Sequence, residues 1–110
     1  MDSEPLYKMK AEFFKTLGHP ARIRVLELLA QRDHSVAELL PEVGIETSNL
    51  SHQLGVLRRA GVVVARREAN TVTYSIAAPE VAELLWVARA VLTEVLSDRV
   101  AVFEELKAGR

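Results

Sequence analysis

Ser48, Asn49, Ser51, His52 and Gln53 fall within six consecutive residues, and Arg58 and Arg59 follow them. This set does not suit catalysis. Ser51 and His52 are neighbours, so on a helix they diverge by about 100° and cannot act as a nucleophile and its base. What the set can do is form hydrogen bonds to a nucleic acid. Asn and Gln amides match the major-groove edge of adenine, with about 1–3 kcal/mol of discrimination per good pair. Serine hydroxyls and helix N-terminal N–H groups suit phosphate oxygens. Gly55 keeps the outward side low, at about 1 kcal/mol of helix propensity. Arg58 and Arg59 would meet a DNA backbone from the end of the same helix. A second basic pair, Arg66 and Arg67, lies close to Asn70 and Thr71 and would supply further contacts.

These residues need elements to position them. Leu50, Leu54 and Leu57 repeat at helical spacing and predict a helix over about 47–60, with Thr47 or Ser48 as its N-cap and Gly61 as its stop. The texture then changes to period two. "VVVARRE" and "TVTYSIA" predict a β-hairpin over about 62–77, turning around Glu68, Ala69 and Asn70. Upstream, Ser35 and Glu38 make a capping-box pattern for a short helix that Pro41 and Gly44 confine to about two turns. Before it, Pro20 opens a helix with Ile23, Leu26 and Leu29 on one side. Pro5 opens another, over about 4–17, with Leu6, Met9, Phe13 and Leu17 in a stripe ended by Gly18. Pro79 begins a long last helix, to about 107, whose stripe runs from Val81 to Leu106.

The expected fold is therefore mainly α with a small β-hairpin, in the order α-α-α-α-β-β-α. A short helix, a tight turn and an amphipathic helix with a polar N-terminal half make a helix-turn-helix, and the appended hairpin makes it winged. No repeat or linker interrupts the chain, so residues 1–110 are expected to form one domain. The first and last helices carry more apolar residues than one small core needs. A homodimer is expected through Leu6, Met9, Phe13, Leu84, Leu85, Ala88, Leu92, Val95 and Leu96.

Bulk composition is compatible with this reading. The chain has 110 residues, 49% hydrophobic and 26% charged, as globular domains do. Its net charge of −1 is unevenly spread. Residues 47–75 hold Arg58, Arg59, Arg66 and Arg67 against Glu68 alone, while both flanking stretches are acidic. Local potential steers a polyanion, so an acidic chain with one basic face can still bind double-stranded DNA. The absence of cysteine excludes disulfides, thiolate metal sites and thiol redox chemistry. No apolar run is long enough for a membrane helix and the N-terminus lacks a signal core, so a cytoplasmic protein without membrane contact is expected. There is no glycine-rich phosphate loop and no nucleophile elbow, so neither an enzyme nor a cofactor is expected.

Three stretches, "FKTLGHPARIRVLELL", "SVAELLPEVGIETSNLSHQLGVLRRAGVV" and "RREANTVTYSI", resemble the ArsR/SmtB family of bacterial winged-helix repressors. The resemblance covers about residues 7–77 well and the last helix more loosely. It implies a homodimer on an inverted-repeat operator near its own promoter, with repression relieved by a signal. On that pattern Ser48, Asn49, Ser51, His52 and Gln53 belong to the reading helix and Arg66 to Thr71 to the wing. The chain departs from metal-sensing relatives, however. Where many carry E-L-C-x-C, it has Asp33, His34, Ser35, Val36 and Ala37, and from Pro79 onward it has no histidine. The carboxylates of the last helix alone make a poor zinc or nickel site. His19 is expected to bond a backbone group in a turn, His34 to lie in a polar loop and His52 to join the reading face. No metal is expected and no effector is legible. The different-class alternative is a winged helix used for contact with an acidic protein.

Overall fold

The computed structural model describes residues 4–109. Among them, five helices carry a three-stranded antiparallel sheet: α1 (Leu6–Leu17), α2 (Pro20–Gln31), β1 (His34–Ser35), α3 (Val36–Val43), α4 (Thr47–Arg59), β2 (Val63–Glu68), β3 (Thr71–Ile76) and α5 (Pro79–Lys107). This is the expected winged helix-turn-helix with one addition. The sheet order is β1-β3-β2, so a two-residue strand joins the expected hairpin. It pairs His34 with Tyr74 and Ser35 with Thr73.

That strand corrects the expectation for His34. The side chain is buried, not in an open loop, and its Nδ1 donates to the Arg32 carbonyl at 2.8 Å. A two-residue strand has no periodicity to read, and its partner lies far along the chain. His19 behaves as expected. Its Nδ1 accepts from the Ala21 N–H at 3.1 Å and caps α2, with Pro20 at the first helical position.

The capping box on α3 is complete. Ser35 Oγ accepts from the Glu38 N–H at 3.2 Å, and Glu38 accepts from the Ser35 N–H at 2.9 Å. That backbone bond, with Arg32 beside it, holds the Glu38 carboxyl below its ordinary value of 4.5. A carboxyl whose pKa falls on folding stabilises the fold fully above its ordinary value. The contribution of this exposed group is therefore present at neutral pH and disappears on acidification through its lowered value. Ser35→Ala should cost about 1 kcal/mol in urea unfolding at neutral pH. Gly44, at φ +73, then closes α3 in the left-handed region that a side chain would strain.

The core lies where α2, α3 and α4 meet the base of the wing. Val25, Leu26, Leu39, Leu50, Leu54, Leu57 and Val63 are almost wholly removed from solvent. The last helix adds little to it. Val81, Leu84 and Leu85 are half-buried against the core, as is Phe13 of α1, while no residue of α5 is fully buried. Three members of the expected dimer set, Phe13, Leu84 and Leu85, thus help cover their own subunit. The other six, Leu6, Met9, Ala88, Leu92, Val95 and Leu96, stand exposed. Phe14, Leu17, Ile23, Leu84, Leu85 and Ala88 line an open apolar cavity of about 480 Å³ between α1, α2 and α5.

Candidate nucleic-acid interface

Helix α4 divides cleanly into two sides. Leu50, Leu54 and Leu57 are buried to within 1% of complete, at the spacing the sequence requires. Ser48, Asn49, Ser51 and His52 are exposed around the helix's N-terminal half. The helix starts one residue earlier than a hydroxyl cap would place it. Glu46 is the N-cap residue and its side chain makes no capping bond, so neither Thr47 nor Ser48 caps the helix. Their hydroxyls are held in the first turn instead, beside unpaired backbone N–H groups that favour an anion.

Gln53 is not on the outer side. It is 5% exposed, and its amide is engaged inside the fold. Its Oε1 accepts from Arg22 Nε of α2 at 2.7 Å, and its Nε2 donates to Asn49 Oδ1 at 2.9 Å. The expectation that Gln53 stands on the outer side with the other reading residues is corrected on this ground. Arg22 also donates through Nη1 to the Thr16 carbonyl near the end of α1, at 2.9 Å. Local periodicity marks polar residues as outward, and so it missed Arg22. The available signal was the position of Arg22 on the same stripe of α2 as Leu26 and Leu29, an arginine where an apolar residue is expected.

Positive charge flanks the polar side. Arg58 and Arg59 are exposed at the C-terminal end of α4. The Arg59 guanidinium folds back over Gly55, where a Cβ would stand 3.1 Å from its Nη1. The glycine therefore gives Arg59 room along the helix surface. On the wing, Arg66 and Arg67 are successive residues of β2, opposite Thr73 and Val72. Arg66 is held by Glu68 and by Asp33, the latter at 3.3 Å. Arg67 makes no ion pair among the described residues, so the wing's uncompensated charge stands there. Asn70 and Thr71 are exposed at the tip, where Ala69 takes the left-handed turn position at φ 54. Among the described residues, no three His, Asp or Glu side chains gather as metal ligands, and no helix is long and apolar enough to cross a membrane.

Residues 19–64, from the start of α2 to the first strand of the wing, match the bacterial regulatory protein, arsR family. The HTH-type transcriptional regulator Rv0081 of Mycobacterium tuberculosis is 74% identical over 110 residues, which is 99% of this chain and 96% of that one. The chain belongs to the ArsR family. Its members are transcriptional regulators rather than enzymes, and this ArsR-family chain has their fold. The crystal structure of the M. tuberculosis protein superposes with a TM-score of 0.83 at 75% identity, over 89% of this chain and 99% of that one. A homodimeric winged helix-turn-helix DNA-binding domain from Mycobacterium bovis, Mb0332, gives 0.76 at 30% identity, over 89% and 95%. The biofilm growth-associated repressor of Agrobacterium fabrum is 47% identical over 75 residues, covering 68% of this chain and 64% of that protein.

Proposed function

We propose that this ArsR-family regulator is a sequence-specific repressor that binds, as a homodimer, an inverted repeat upstream of its own gene. The observation that carries the reading is the division of α4, whose Ser48, Asn49, Ser51 and His52 stand outward over a fully buried leucine stripe. Helix α4 (about 47–60) enters the major groove, and the hairpin (about 62–77) follows the backbone through Arg67, Asn70 and Thr71. Arg58 and Arg59 add phosphate contacts. The relatives named repressors and the homodimeric neighbour support this reading of the chain.

The dimer is assigned to α1 (about 4–17) and α5 (about 79–107). Leu6, Met9, Leu92 and Leu96 are each more than half exposed in the single subunit. A two-fold axis there sets the two reading helices about 34–36 Å apart, on successive major grooves. Bound dimers then repress by blocking polymerase.

The deciding experiment titrates the protein against its own upstream DNA and a scrambled duplex, by fluorescence anisotropy at two salt concentrations. Binding about a hundredfold tighter to the native fragment is the expected result, a lenient bar for a specific regulator. Equal, strongly salt-dependent binding to both removes the autoregulatory assignment. No binding to either by a folded dimer replaces it with a module that contacts an acidic protein. Arg67→Ala should weaken binding to all sequences alike and flatten the log–log salt slope by up to about 0.9, the share of one phosphate contact.

A further inference from the structure

The hydrogen bonds that run from α1 to the outer side of α4 have a direction. Arg22 donates to the Thr16 carbonyl with one nitrogen and to Gln53 Oε1 with another, at 2.9 and 2.7 Å. A guanidinium has donors and no acceptor. The Gln53 amide can therefore meet Arg22 only with its oxygen, which turns its NH₂ toward Asn49. Asn49 answers an NH₂ in the same way, with Oδ1 turned inward at 2.9 Å. Gln53 is buried, so reversing either amide would set two donors against each other out of water, which burial penalises. Asn49 itself is exposed. Its own NH₂ is the group left facing outward.

We propose that Arg22 and Gln53 set the base preference of the reading helix by holding Asn49 with its donors outward and its carbonyl withdrawn. The inference rests on the DNA-binding role proposed above for α4. In the major groove, guanine offers N7 and O6 and thymine offers O4, acceptors with no donor beside them, whereas adenine sets an amino group next to its N7 and cytosine presents an amino group alone. Asn49 so oriented favours guanine or thymine on the strand it faces over adenine, whose amino group stands beside its single acceptor, and over cytosine, which offers no acceptor at all. It does not make the two-armed adenine contact that a free asparagine offers. Arg22 and Gln53 are positioning residues, acting on DNA only through Asn49.

The relay also says how to reverse the preference. In Gln53→Glu, one carboxylate oxygen still accepts from Arg22 and the other now accepts from the Asn49 NH₂. Asn49 then presents Oδ1 outward. The test selects binding sites for the full chain from a library of random duplexes, comparing the wild type with Asn49→Ala, Gln53→Glu and Arg22→Met. Folding and dimerisation of each are checked first by circular dichroism and sedimentation. The wild type should favour guanine or thymine at one half-site position by about tenfold, within the range of one good base contact. Asn49→Ala should lose the preference at that position alone. Gln53→Glu should switch it to adenine or cytosine, and Arg22→Met, which frees both amides, should broaden it to accept all four bases. Should Gln53→Glu not fold, the broadening in Arg22→Met carries the test. A position that depends on Asn49 but keeps its base in both relay variants overturns the inference while leaving the repressor reading intact. An unchanged site in Asn49→Ala overturns it too. No enriched sequence for the wild type removes the specific-repressor reading, and this inference falls with it.

Discussion

Leu54→Ala is expected to lose about 2–5 kcal/mol in urea unfolding, the range for truncating a leucine that leaves a cavity. Leu54 is 1% exposed and belongs to one cluster with Leu26, Leu39, Leu50 and Leu57. A small domain is stable by only about 5–15 kcal/mol, so this single truncation removes a large share of the total. The midpoint should fall with an unchanged slope against urea, which marks a loss of stability without a change in compactness. DNA binding should fail only in proportion to the unfolded fraction and return on cooling. His52→Ala is the counterpart. It alters an exposed residue outside the core cluster, so stability should stay within about 0.5 kcal/mol. Its DNA selectivity should nevertheless relax. A Leu54→Ala protein that is fully folded yet blind to sequence would mean that the two sides of α4 are not separate in function.

The double change Leu92→Glu with Leu96→Glu should convert a micromolar dimer into a monomer in sedimentation. The two leucines are 58% and 56% exposed, four residues apart and so on one side of α5. Neither packs on its own subunit's core, so the helix and the wing should survive the change, as circular dichroism would show. On the proposed inverted repeat, each monomer would then meet one half-site alone. Losing the second linked contact should weaken operator binding by about 10²–10⁴, the range that joining two modules supplies. A double variant that stays dimeric would move the interface off this part of α5.

Much of this architecture was legible in the residue spacing because the signals are local. The leucine interval of α4, the capping box at Ser35 and Glu38, and the change to period two after Gly61 each act within a few residues. What escaped is long-range. Strand β1 exists because His34 and Ser35 meet Tyr74 and Thr73, a pairing that no local pattern announces. Gln53 looked outward because it is polar, and it is buried because Arg22, 31 residues earlier, fills its acceptor. On α5, periodicity names a stripe but not its partner. Leu84 and Leu85 turn to their own subunit's core, while Leu92 and Leu96 on the same stripe are left open.

The order of the sheet has a consequence for solubility. With β3 in the middle, β2 is an edge strand, and its outer row of backbone N–H and C=O groups offers a template for another chain. Val64 is half-exposed beside Val62 and Val63, so this edge begins with an apolar, β-prone run. Arg66 and Arg67 come directly after it, where like charges would be forced together if two such edges paired. The arginines of the wing therefore guard against fibre-like association, a role separate from the phosphate contact proposed for Arg67. Removing both would leave the edge that starts at the half-exposed Val64 without their charges to oppose edge-to-edge stacking.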